Sequence, residues 1–345
     1  MKISITSLLI IFAVALSVFT INACRKKDAF ITTPLSFPNP AGWPAVQYNF
    51  ANNPLTQQGF DLGRKLFYDG KLSKDGNFPC AGCHQQIASF GTYDHDQSHG
   101  YNNSHTLRNA PPLQNLAWKK LLDWDGAFSS IEQRVLAHIN HPMEMGETTS
   151  GVIAKLKADA NYPRMFAAAF GNEEINADRL SKALAQFVLM LVSSNSTYDK
   201  VKRGEATFNL PESLGYDIFK NKCASCHSEP MFTNYSYRNI GMPKEPALND
   251  LGRMMVTNLS ADSLKFQVPS LRNVKITYPY GHDGRFYAID NVLEHYRSGV
   301  RNGPTTDALL VNNIQLTNFE IGQLKAFLFA LTDSTIVKDP RFSKP

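Results

Sequence analysis

One pentapeptide pattern occurs twice and constrains the chain more than any other feature: Cys80-Ala81-Gly82-Cys83-His84 and Cys223-Ala224-Ser225-Cys226-His227. In Cys-x-x-Cys-His, two thiols form thioethers to a porphyrin and the adjacent histidine ligates its iron, the chemistry of c-type heme attachment. Four thiolates can also hold zinc. The two pairs lie far apart in sequence, however, and each carries a histidine in the heme position, which neither a zinc site nor a redox dithiol requires. The expectation is two covalently bound heme c groups, one for each attachment site.

Each site follows a helix-like approach. Before the second, Leu214, Ile218 and Phe219 share one helical face, and Gly215 and Phe219 bracket a turn. Before the first, Leu62-Gly63-Arg64-Lys65-Leu66-Phe67-Tyr68-Asp69 plays the same part. The attachment sites therefore read as an internal duplication. Asp178 to Tyr198 carries Leu180, Leu184, Phe187, Val188 and Leu191 at helical spacing, a core-packing face. Thr317 and Glu320 form a capping box ahead of Ile321, Leu324, Phe327, Leu328 and Leu331, which gives a C-terminal helix. No long alternating run argues for a sheet. With 345 residues, 43% of them hydrophobic, the chain can bury two cores. The expected fold is all-α: two cytochrome c-like domains, residues 46–205 and 206–345, with the hemes facing a shared interface.

Residues 1–23 carry Lys2 and then an apolar run to Ile21, the pattern of an export signal. The run ends Ile21-Asn22-Ala23-Cys24, as at a lipoprotein cleavage site, so Cys24 is expected to be lipidated and to provide the membrane contact; an uncleaved anchor is the alternative. Either places the body outside the cytoplasm, in the periplasm, with the proline-rich segment 24–45 as a tether. The formal net charge of +5 is spread along the sequence, which gives nucleic-acid binding little support.

Between and after the attachment sites the chain resembles the bacterial diheme cytochrome c peroxidase and MauG family. The resemblance runs from about Leu62 to the C-terminus and rests on these segments: Leu62-Gly63-Arg64, His99-Gly100, Leu107-Arg108-Asn109-Ala110-Pro111, Trp124-Asp125-Gly126, Glu144-Met145, Leu271-Arg272-Asn273-Val274 and His282-Asp283-Gly284. It implies reduction of hydrogen peroxide at the first heme, with electrons from a small cytochrome c or cupredoxin passing through the second, and homodimers are common in the family. Glu144 resembles the glutamate over the peroxide-binding face, where partial burial would raise its pKa. The family also places a glutamine on the helix that starts at a Ser129-to-Glu132 capping box; Gln133 is nearby, while an ungapped count puts Arg134 in that slot. His99 resembles the histidine that caps the first iron at rest, with His95 and His105 on the same loop as alternatives. Trp124 resembles the tryptophan that couples the hemes. Asn109, with the carbonyls near Thr277 and Pro279, matches a calcium site.

One departure stands out. Many of these peroxidases ligate the second iron with a methionine far downstream, and this chain has no methionine after Met255. The matching position falls in Glu294-His295-Tyr296-Arg297, where Tyr296 corresponds to the tyrosine ligand of MauG. His295, Met231, Met242, Met254 and Met255 are the alternatives. A phenolate favours ferric iron and lowers the potential, whereas a thioether raises it. The implied alternative functions are a MauG-like oxidase acting on a protein or aromatic substrate, and a diheme electron carrier without enzymatic activity.

Overall fold

The computed structural model describes residues 30–93 and 95–345. The export signal, Cys24 and the start of the tether lie outside the described residues. Nine helices of six or more residues carry the described fold: α1 (Gln57–Phe67), α2 (Ile131–Asn140), α3 (Thr149–Ala158), α4 (Tyr162–Phe170), α5 (Ala177–Leu189), α6 (Thr197–Lys202), α7 (Leu210–Lys222), α8 (Ile289–Glu294) and α9 (Asn318–Ala330). The described β-structure beyond isolated bridges is one antiparallel pair, β1 (Tyr237–Arg238) with β2 (Phe266–Gln267), with Tyr237 opposite Gln267. None of the described helices is long and apolar enough to cross a membrane.

Two helix crossings repeat one another. In α1, Thr56 caps the N-terminus by accepting from Gly59 N–H, and Phe60, Leu62, Leu66 and Phe67 form the buried face. That face packs on Leu184, Phe187 and Val188 of α5. The backbones meet at Gly63, where an added Cβ would lie 1.9 Å from the Ala183 carbonyl oxygen. In α7, Asn209 and Glu212 form a reciprocal capping box, and Gly215 sits against α9 with an added Cβ 2.0 Å from the Gln323 oxygen. Phe219, Leu324, Phe327 and Leu328 fill the second core. Each such fully buried Phe or Leu side chain contributes about 1.5–3 kcal/mol. The expected capping box of α9 forms: Thr317 accepts from Glu320 N–H, and the Glu320 carboxylate accepts from Thr317 N–H.

Two expectations shift. The long helix over 178–198 is interrupted: α5 ends at Leu189 and α6 begins at Thr197. Between them the Asp333 carboxylate accepts from the backbone N–H groups of Ser194 and Asn195, and Asn115 accepts from Ser193 N–H, so the helical ladder is replaced by side-chain bonds. The cap of α2 is Ser130, not Ser129, and it accepts from Gln133 N–H.

The two cores interlock. Tyr198 packs in the second core, while Ile336 and Phe342 of the C-terminal tail return to the first. Two Leu-Arg-Asn segments pin the seam. Arg108 donates to both Asp250 and Asp125, and Arg272, fully buried, holds Asp199 through two bonds of 2.9 and 2.8 Å. Asn273 donates to Ser89 and Ser193 and accepts from Asp333 N–H, which joins the tail to loops of the first core.

Candidate heme sites

The Cys80–Cys83 segment is a single helical turn that presents Cys80, Cys83 and His84 to one cavity of about 480 Å³. Both thiols are free, and burial pushes Cys80 up to about 12 and Cys83 up to about 11. His84 Nδ1 lies 2.8 Å from the Phe90 carbonyl oxygen. A carbonyl only accepts, so Nδ1 carries the proton and Nε2 keeps its lone pair for a metal. Burial, then neighbouring His138, draws His84 down to about 4, so the ring is neutral.

The second site repeats this arrangement. Cys223 and Cys226 are free, and His227 Nδ1 donates to the carbonyls of Phe232 at 3.2 Å and Pro269 at 3.1 Å. Phe90 and Phe232 both hold positive φ, 63° and 55°, a conformation that bulky residues rarely adopt. In both halves a fully buried phenylalanine turns its carbonyl onto the histidine of the Cys-x-x-Cys-His segment. Free thiol pairs and oriented imidazoles with Nε2 available at both positions, and a largely apolar cavity at the first, fit covalently bound heme.

Across the first cavity lie Arg134, His138 and Glu144. Arg134 and His138 are one turn apart on α2 and so share a face. Glu144 follows on the turn after α2, where its N–H donates to the His141 carbonyl. The Glu144 carboxylate accepts from His138 Nδ1–H and, at 3.4 Å, from Arg134, whose Nε also donates to Asp123 at 2.9 Å. The expectation that burial raises Glu144 is overturned. Burial does push upward, but His138, Arg134 and His141 outweigh it and hold the carboxyl at about 2. Gln133 is exposed and does not line the cavity, so Arg134 occupies the slot; one step along a helix turns a side chain by about 100°.

His99 also lines the cavity, half-buried, with its ring stacked on His95 at 4.7 Å and tilted by 59° against His105 at 4.2 Å. Trp124 stands at the seam: its indole N–H donates to the Asn109 carbonyl at 2.9 Å, and its own carbonyl accepts from Gln267 N–H of β2. Asn109 is buried, donates to the carbonyls of His95 and Asp96, and its backbone N–H donates to the His282 carbonyl. Thr277 and Pro279 lie on the loop that leads to His282.

Beside the second site, α8 widens into a π-helical turn over His295–Gly299, a distortion often found at functional positions. Tyr296 on this turn is close enough to Cys223 and Cys226 that burial, then those sulfurs, raise its phenol above the usual range. His295 points elsewhere, with Nε2 donating to the Ile240 carbonyl at 2.9 Å. Met231 packs in the first core and Met255 lines the first cavity. His138, Asp123 and Lys119 are cavity residues that sequence reading did not single out; the spacing of Arg134 and His138 on α2 was the available signal for the first of them.

A family model described as di-haem cytochrome c peroxidase matches residues 57–207. The methylamine utilization protein MauG of Methylorubrum extorquens is 35% identical over 81% of this chain and 79% of its own length. The cytochrome c551 peroxidase of Nitrosomonas europaea is 32% identical over 79% of each chain. Among solved structures, a MauG-like protein associated with microbial copper homeostasis superposes with a TM-score of 0.81 at 31% identity, covering 90% of this chain and 99% of its own.

Proposed function

The chain belongs to the di-haem cytochrome c peroxidase family, and from that premise we propose that it reduces hydrogen peroxide in the cavity beside His84, drawing electrons from a small c-type cytochrome or cupredoxin. The observation that carries this reading is the convergence of Arg134, His138 and Glu144 on the cavity that one attachment site opens into. A heme held by Cys80, Cys83 and His84 would supply the iron and the redox equivalents that O–O cleavage needs. Each peroxide consumes two electrons and two protons and yields two waters.

The residues supply the proton handling and the charge. Glu144 and His138 form a hydrogen-bonded pair able to take a proton from one peroxide oxygen and return it to the other. Arg134 places a fixed positive charge where negative charge develops on the departing oxygen. Trp124 bridges the two halves and is assigned the coupling of the two heme sites. Asn109, with the carbonyls of Thr277 and Pro279, is assigned a calcium ion at the seam, oxygen donors being the type calcium takes.

Tyr296 is assigned as the sixth ligand of the second iron, supported by its proximity to Cys223 and Cys226 and by the commitment of His295 to a backbone carbonyl. It also favours a second reading, a MauG-like oxidase acting on aromatic groups of a partner protein. A donor-oxidation assay separates the roles. Glu144→Gln in the two-heme protein is expected to slow peroxide-driven oxidation of a reduced small cytochrome c by about 10²–10⁴-fold. An unchanged rate at equal heme content would remove Glu144 from the mechanism.

A further inference from the structure

The rings of His84 and His138 both line the first cavity, with centroids 6.3 Å apart and planes near perpendicular at 78°. Both rings are held at Nδ1, His84 by the Phe90 carbonyl and His138 by the Glu144 carboxylate. Each therefore has Nε2 left for another partner. An imidazole nitrogen binds a transition metal at about 2 Å and its ring centre lies about 1 Å further out, so two imidazoles on one metal stand about 6 Å apart. The observed separation leaves room for one atom between the rings. Peroxide has no space between the two rings in this arrangement, so the acid–base role of the Glu144–His138 pair belongs to the state in which the His138 ring has moved aside.

We infer that His138 Nε2 is the sixth ligand of the first heme iron in the resting protein, making that heme bis-histidine and closed until His138 moves. This rests on the reading that a heme is attached at Cys80, Cys83 and His84, and not on peroxide turnover. The sequence-based expectation gave this role to His99, whose ring is instead engaged by His95 and His105. His138 sits on α2, a framework helix, and its partner Glu144 is the anionic outer-shell group that fixes the tautomer and strengthens a ligating imidazole. The turn that carries Glu144 is itself tied down. Tyr101 N–H donates to the Glu144 carbonyl, and Gly100 packs against the Met143 carbonyl so closely that an added Cβ would lie 2.1 Å from it. Peroxide reduction then requires the His138 ring to swing off the iron, with Glu144 as the group that holds it in either position.

The test uses the full two-heme protein, with heme counted as the pyridine hemochrome and the ferric state read by EPR and near-infrared magnetic circular dichroism. The wild type is expected to show a low-spin bis-imidazole heme with the large-gmax signal of near-perpendicular ring planes, alongside the signal of the second heme. His138→Ala is expected to convert that signal to high spin, His138→Met to move it to the histidine–methionine type, and His99→Ala to leave it in place. A first heme that is high-spin in the wild type, or a bis-imidazole signal that survives His138→Ala and is lost in His99→Ala, overturns the assignment. Fewer than two hemes per chain overturns the attachment reading, and the inference with it.

Discussion

At the scale of single residues, the chemistry is set by which nitrogen of each histidine is already occupied. Phe90 and Phe232 spend their carbonyls on Nδ1 of the two attachment histidines, and Glu144 does the same for His138. In His295 the occupied atom is Nε2, which leaves Tyr296 as the ligand proposed for the second iron. Tyr296→Phe is expected to abolish the histidine–tyrosine low-spin signal and raise the potential of the second heme, since an anionic oxygen no longer favours ferric iron. An EPR-monitored redox titration checks this, and an unaltered spectrum would place the ligand elsewhere. The attachment residues were legible because covalent attachment needs a fixed spacing. The role of His138 was not, because a histidine on an amphipathic helix carries no local mark of what faces it across a cavity.

At the scale of elements, the duplication shows as two helix crossings made close by glycine. Gly63→Ala or Gly215→Ala drives a methyl into a backbone carbonyl of the partner helix, and each is expected to lower stability by about 1–3 kcal/mol. Gly322, on the open side of α9 with nothing within 4 Å of an added Cβ, is the control; Gly322→Ala is expected to stabilise by about 0.4–1 kcal/mol. Chemical denaturation of the three variants gives the comparison, and equal effects would mean that the crossings tolerate more space than the geometry allows. Helix starts were readable where a side chain caps locally, as at Thr317 and Glu320. The break between α5 and α6 was not, because the group that stops the helix is Asp333, far away in sequence.

For the molecule as a whole, the seam between the two cores depends on buried charge pairs. Burial raises Asp199, but the two Arg272 hydrogen bonds overcome it and hold the carboxyl below its usual range; Arg108 does the same for Asp250. A carboxyl depressed in the folded state stabilises fully above its unfolded pKa of about 4, and that stabilisation is lost as pH falls through the lower folded value. Stability is therefore expected to fall on the acid side, below about pH 4. Asp199→Asn, which strands the fully buried Arg272, is expected to cost about 3–5 kcal/mol at neutral pH and to flatten that acid slope. Denaturant midpoints measured against pH check both. The Leu-Arg-Asn segments were visible as matched sequence, but their task of locking one half to the other was not, since Asp199 and Asp250 are distant from them in the chain. Stoichiometry decides whether this paired structure reduces peroxide with electrons from a partner protein. With the two-heme protein and a reduced small cytochrome c, two donor molecules oxidised per peroxide consumed, with water as product, is the predicted result. Peroxide consumed without donor oxidation, or a donor left reduced while both hemes are attached, would contradict it.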